Sequence, residues 1–484
     1  MTEPLWHFPA FLAATGGRLV GKAPATVTGI SIDSRNVAPG EAFFAIKGDR
    51  FDGHDFVAQA LSAGAGVAVV ARERLAGFGG PSATLVVVDD VLAALADLGR
   101  AARARSRTRI AGITGSVGKT GTKEMLARSL APDGEVHFSP ASFNNHWGVP
   151  LTLARLPVSA KYAVFEIGMN HAGEIEPLVK MVRPHVALIT TVEPVHLEFF
   201  PSEEAIAEAK AEIFLGVEPG GAAVINRDNR HFAALARLAG AAGIARIVGF
   251  GEHESAEARL RLAKLKPECS CVAAEILGEA ISYKLAAPGR HLVQNSLAVL
   301  AAVALLGGDL AKAAMAFAGL EPPRGRGARH RLAIEGRSVT LIDESYNANP
   351  ASMRAAIALL GQAAPAGNGR RIAVLGDMLE LGPKSPDLHA ELAEIITEAG
   401  VDRVYLAGPL MQALWEQLPP ARRAGYAERA AELAPILGDE LRAGDVVMIK
   451  GSKGSRMGPL VEALKARFAP TVAAADEPRG QEFA

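Results

Sequence analysis

Short apolar runs, each closed by a polar, glycine-containing stretch, recur along almost the whole chain. In the first hundred residues the runs 27–32, 42–46, 66–70 and 84–88 alternate with helical segments such as 56–63, which predicts a small α/β domain. Further runs at 110–113, 162–165, 186–191, 222–226 and 247–251 read as strands of a repeatedly wound sheet. The rhythm changes over 258–287, where 260–265, 269–277 and 281–285 predict antiparallel strands, a small β appendage. An Ala/Leu-rich helix is expected at 293–306, with Asn295 in its first turn. Beyond the Pro- and Gly-rich stretch 321–329, the runs 339–342, 372–375, 404–407 and 446–449 predict a second, Rossmann-like parallel set. The reading is an α/β protein of three domains, 1–104, 105–325 and 326–469, with a disordered tail at 470–484.

Composition narrows the classes of function. The 484 residues hold 51 Lys plus Arg against 52 Asp plus Glu, so the basic footprint of a nucleic-acid binder is missing. No apolar stretch approaches spanning length, and MTEPLWHFPAF lacks the features of a signal peptide, which predicts a cytoplasmic protein without membrane insertion. The two cysteines, Cys269 and Cys271, read as alternate positions of one strand. The helical stretch 95–109 carries Arg100, Arg103, Arg105, Arg107 and Arg109, and is expected to present a solvated basic face.

The chemistry concentrates at 108–125, TRIAGITGSVGKTGTKEM. An apolar run enters a turn with Gly115 and Gly118, and Lys119-Thr120 open a helix, the layout of a phosphate-binding loop. The usual spacing wants glycine at 113, where the chain has Ile113, with Gly112 beside it. Glu166 and His196 leave two neighbouring strand ends, where they could serve a metal. Lys210, on the amphipathic helix 203–215, reads from periodicity as a surface residue paired with Glu203, Glu204 or Glu208. Arginines at the 321–329 hinge could meet a transferring phosphoryl group on closure. The stretches 31–35 and 47–54 put polar groups beyond strands, where ordinary turn chemistry also explains them.

Seven ordered motifs resemble the Mur ligases: TGSVGKTGTKEM, EIGMNHAGEI, the stretch from His196 to Lys210, GRHLVQNSLAVLAA, DESYNANP, GDMLELG and KGSKGSR. The resemblance spans about residues 25–460 and accounts for the displaced glycine. It implies an N-terminal domain for the UDP end of the substrate, a central P-loop ATPase-type domain, and a C-terminal domain that admits the incoming amino acid or dipeptide. It implies that residues Thr114, Gly115, Ser116, Val117, Gly118, Lys119, Thr120 and Gly121 bind ATP, with Asn295 at adenine, Asp343 at ribose and Arg326 at the γ-phosphate. Arg324 and Arg329 are the neighbouring choices for that arginine. By the same resemblance Thr120 and Glu166 serve Mg²⁺, His196 serves a second Mg²⁺, and Lys210 is carbamylated, against the surface reading. Ser34, Arg35, Lys47, Asp52, Gly53 and His54, with Asn144, Asn145, Tyr346, Asn347 and Asn349, are implied to bind substrate.

Two positions depart from the family pattern, Gly121 for Ser or Thr and Leu292 for Asn, and neither removes a charge. The implied reaction joins D-Ala-D-Ala to UDP-MurNAc-tripeptide in an ATP-dependent, ADP-forming step of peptidoglycan synthesis, by a monomer. The alternatives are addition of a diamino acid to UDP-MurNAc-dipeptide and a nucleotide-binding protein that has lost catalysis.

Overall fold

The computed structural model describes residues 4–78, 83–195, 197–334 and 337–468. His196 and the 470–484 tail lie outside the described residues.

The N-terminal sheet has five strands in the order Arg18–Val20, Leu85–Val88, Val67–Ala71, Ala42–Phe44 and Ile30–Ser31, parallel except for the first. The expected strand 27–32 is two elements. Thr26–Val27 pairs with Trp6–His7, and Ile30–Ser31 joins the main sheet, because Thr28 and Gly29 bond sideways to the 40–42 turn. The helix predicted at 56–63 is Val57–Ser62, preceded by a 3₁₀ turn.

The central sheet has nine strands. Arg109–Thr114 lies between Tyr162–Glu166 and Val186–Ile189, all parallel, so their C-terminal ends open on one edge. Alternate residues of these strands enter different cores, Ile110 and Phe165 on one face, Ala111 and Val164 on the other. Burial on both faces is why such strands read as unbroken apolar runs. The appendage strands Ala258–Leu265, Ser270–Ile276 and Glu279–Leu285 extend this sheet, joined through Phe250 opposite Ala258. Cys271 lies in the middle strand and Cys269 just before it, both as free thiols.

In the C-terminal sheet the order is Ala328–Ile334, Arg337–Glu344, Val446–Lys450, Arg371–Gly376, Arg403–Ala407 and Arg423–Ala427. The first pairs antiparallel and the others are parallel. The edge strands Ala328–Ile334 and Arg423–Ala427 go beyond the four expected, as does Val136–Phe138 in the central sheet. Among the described residues no helix is long and apolar enough to cross a membrane.

The expected basic helix at 95–109 is Val91–Arg105, started earlier by Asp90, whose carboxylate accepts from the Leu92 and Ala93 amides. Its arginines do not form one solvated face. Arg103 is buried, donating to the Val182 and Arg183 carbonyls and pairing with Glu218, while Arg105 donates to the Leu5 carbonyl and covers Trp6. The Trp6 indole bonds the Ala154 carbonyl, and Arg155 bonds the Ile30 carbonyl. A single apolar core runs across this junction, from Trp6, Phe11 and Phe44 through Leu95 and Leu98 to Leu151, Phe165 and Val179.

His185 sits at the same junction, its Nδ1 accepting from the Ile110 amide at 3.0 Å. Burial, then the charges of Arg109 and Arg103, push its pKa from 6.5 down to about 4. In that window the unfolded chain binds a proton that the folded one refuses. The stability His185 contributes is therefore complete above its unfolded pKa and is lost as pH falls toward about 4. Urea titrations of His185→Asn should show a flatter pH dependence there than wild type, by at most about 1.4 kcal/mol per pH unit.

Candidate functional site

The strand Arg109–Thr114 ends in a loop whose shape is set by two glycines. Gly115 has φ +146° and Gly118 has φ +88°; a Cβ at Gly115 would stand 1.9 Å from the Thr190 hydroxyl. Thr190 in turn donates to the Val117 carbonyl at 2.6 Å, and the Ser116 hydroxyl donates to the Glu193 carbonyl. The loop is thus pinned from the neighbouring strand before the helix Lys119–Leu130 begins. Gly112 takes no part, being inside the strand.

Lys119 donates to the Gly115 carbonyl at 2.6 Å. Burial lowers its pKa, the Glu166 carboxylate raises it, and Arg326 lowers it again. Thr120 donates to Glu166 Oε2 at 2.8 Å, and Asn144 donates to Oε1 at 2.8 Å. Glu166, the last residue of its strand, is 3% exposed. A buried carboxylate beside a hydroxyl offers hard oxygen donors, the set that suits Mg²⁺.

The surface reading of Lys210 is overturned: it is 2% exposed, near the end of the helix Glu203–Ala211. It makes no hydrogen bond or ion pair among the described residues. Burial, then the charge of Lys119, drives its pKa well below the ordinary lysine value. Such an amine is held toward its neutral form.

A cavity of about 960 Å³ lies between the central and C-terminal sheets. Ser116, Val117, Gly118, Lys119, Thr120 and Gly121 line it, with Asn144, Asn145, Glu166 and Asn295. From the other side come Arg326, Tyr346, Asn347 and Asn349. Asn295 is in the second turn of its helix, not the first, because that helix starts at Arg290; a Cβ on Gly118 would stand 2.8 Å from its Nδ2.

The three hinge arginines separate by environment. Arg326 lines the cavity, stacks over the Tyr346 ring at 4.1 Å and donates to Ser142. Arg324 is exposed on Glu462, and Arg329 is half-buried.

Thr114, Gly115, Lys210 and Asp343 are outside the cavity lining. The buried Asp343 carboxylate accepts from the Gly325 and Ser345 amides and the Ser345 hydroxyl, which clamps the hinge. The lining also excludes Ser34, Arg35, Lys47, Asp52, Gly53 and His54. Ser34 bonds Gln59 and the exposed Arg35 chelates Asp33. Lys47 pairs through its backbone with Asp52. His54 is buried, Nδ1 on Asp52 at 2.6 Å and Nε2 accepting from the Ala71 amide. A Cβ on Gly53 would meet the Ile46 backbone at 2.6 Å.

Sequence reasoning missed Ser142, whose hydroxyl lies 3.0 Å from Thr120 Oγ1. It also gave no role to Lys450, which lines the cavity, pairs with Glu344 at 3.3 Å and donates to the Asn347 carbonyl. Both partners are over 20 residues away, so spacing carries no signal.

A glycine loop pinned at a helix start, a hydroxyl–carboxylate pair with Lys119 beside it, and Arg326 lining the same cavity are the features to set beside known proteins, and the chain belongs to the Mur ligase family. Family models match it over residues 26–103 (Mur ligase family, catalytic domain), 113–303 (Mur ligase middle domain) and 330–453 (Mur ligase, glutamate ligase domain). Within that family it is MurF-like. It is 34% identical to the UDP-N-acetylmuramoyl-tripeptide--D-alanyl-D-alanine ligase of Rickettsia prowazekii, over 90% of this chain and 94% of the relative. MurF from Acinetobacter baumannii superposes with a TM-score of 0.82 at 30% identity, covering 96% of this chain and 99% of that one. MurF ligase from Thermotoga maritima in complex with ADP gives 0.74 at 27% identity, over 91% and 97% of the two chains.

Proposed function

We propose that the protein joins D-Ala-D-Ala to UDP-MurNAc-tripeptide at the expense of ATP. What carries the reading is one cavity lined jointly by Lys119, Thr120, Glu166 and Arg326, in a chain that matches ligases of that name almost end to end. The terminal carboxylate oxygen of the tripeptide attacks the γ-phosphorus of ATP, ADP leaves, and an acyl phosphate forms. The dipeptide amine nitrogen then attacks the acyl carbon; phosphate leaves and the nitrogen gives up a proton to solvent. The product is the pentapeptide precursor of peptidoglycan.

Two anions must meet in the first step, so the site needs cations that are already in place. Lys119 and Arg326, both in the cavity lining, supply them. Mg²⁺, when bound, adds charge neutralisation at the phosphates; Thr120 and Glu166 would hold it, with Lys210 as a carbamate, which turns a buried amine into an anionic oxygen donor. Asn295 is assigned to the adenine and the Lys47–His54 loop to the UDP end. An acyl phosphate hydrolyses if water reaches it, so approach of the C-terminal domain is required before chemistry.

Positional isotope exchange tests the intermediate. With the β,γ-bridging oxygen of ATP labelled, tripeptide present and dipeptide absent, the label should scramble to non-bridging positions. Retention of the label under conditions that support full turnover would remove the acyl phosphate.

A further inference from the structure

Lys123 follows Thr120 by three residues and Lys119 by four, so all three share one face of the loop helix. It is fully buried, 0% exposed. Its ammonium donates to the Ser139 carbonyl at 2.5 Å and the Ala141 carbonyl at 3.1 Å, and lies 3.4 Å from the Ser139 hydroxyl. Glu124 Oε1 is 3.1 Å away. A buried ammonium is costly unless its protons are all met. Here they are met chiefly by main-chain oxygens of one loop, so the cation fixes that loop on the helix.

The residues that follow in this loop turn back to the site. Ser142 puts its hydroxyl beside Thr120 and accepts from Arg326. Asn144 donates to Glu166, and its carbonyl accepts from the Gly168 amide at 2.8 Å. Lys123 therefore connects the helix that carries Thr120 to the loop that orients Glu166, without itself lining the cavity.

We propose that Lys123 is a positioning residue for the magnesium–nucleotide centre: it ties the 139–142 loop to the loop helix so that Ser142 and Asn144 hold Thr120 and Glu166 in register. The proposal rests on the reading of Thr120 and Glu166 as magnesium ligands. Lys123 acts on the metal end of the nucleotide site and leaves the glycine loop itself unchanged.

The readout is ADP affinity by calorimetry, with saturating Mg²⁺ and with EDTA, expressed as the ratio of the two. Lys123→Met should lower the ratio roughly tenfold, the usual consequence of losing a residue that orients metal ligands, while affinity in EDTA stays within about twofold. Lys123→Arg, which keeps the charge and donors, should lose less. In an Asn144→Ala background either change should add little, because both act along one path. If the Met variant does not fold, the Arg variant carries the cycle. A Met variant that melts earlier yet keeps the ratio, an equal loss of affinity in EDTA, or an additive cycle would each overturn the proposal. Thr120→Val separates the two readings. If it leaves the ratio intact, the magnesium assignment fails and the proposal with it. If it abolishes the ratio while the Lys123 variants do not, Lys123 alone is removed.

Discussion

Lys210→Ala is expected to lower kcat on the order of 10²- to 10³-fold, the range seen when one preorganised electrostatic group is removed, and short carboxylic acids should restore part of it. The chain buries this amine without a hydrogen bond or ion pair among the described residues, beside the like charge of Lys119. A buried amine held toward its neutral form and bonded to nothing among the described residues takes no ion pair with it when removed, so the alanine protein should still fold and melt close to wild type. That combination distinguishes a functional lysine from a structural one, whose loss costs both properties. Acetate or formate can enter the space left by the side chain and present oxygens where the proposed carbamate would stand. Full activity in the alanine variant, measured as phosphate release with tripeptide and dipeptide, would take Lys210 out of the site.

Glu166→Gln should be as damaging, on the order of 10²- to 10³-fold in kcat, with little change in fold. Glutamine keeps the size and can still accept from Thr120 or Asn144, so the loss isolates the charge. It also acts on Lys119. The Glu166 carboxylate is the group that raises the Lys119 pKa against burial and Arg326. Without it that pKa falls further, and the cationic form disappears at lower pH than in wild type. The alkaline limb of the kcat profile should shift toward neutral pH. An unchanged limb would mean that Lys119 is not the group titrating there.

How much of this was legible depends on where each residue finds its partners. Strands buried on both faces, such as Ala222–Asn226, announce themselves as apolar runs, and their ends locate Glu166 and the phosphate loop. Edge strands do not: Arg423–Ala427 is half-buried and interrupted by Gly425, and its pattern matches no period. Helix starts shifted where a cap outweighed the apolar pattern, as Asp90 does for Val91–Arg105. Periodicity sees only one helix at a time. It placed Arg103 and Lys210 in solvent because the surfaces that bury them come from elsewhere in the chain; for Lys210 only the resemblance pointed inward. Lys123 escaped for the same reason, its acceptors lying 16 and 18 residues away on a loop of no regular structure. The order of motifs located the cavity from the central and C-terminal sides. The N-terminal residues assigned to the UDP end lie outside it, and their local bonds, His54 between Asp52 and Ala71 above all, explain their conformation without a ligand.

The core shared by the first two domains has a further meaning. Trp6, Arg103 and Arg155 bond the first domain to the second across a shared apolar core, which holds the spacing between the proposed UDP site and the proposed phosphate loop in this structure. A frame that kept this spacing would work as callipers. An acceptor one residue too short stops about 3.5 Å from the point of attack, a gap as wide as the near-attack distance itself. Peptide length would then be measured by the frame, and side-chain contacts would have only to distinguish among acceptors that already reach.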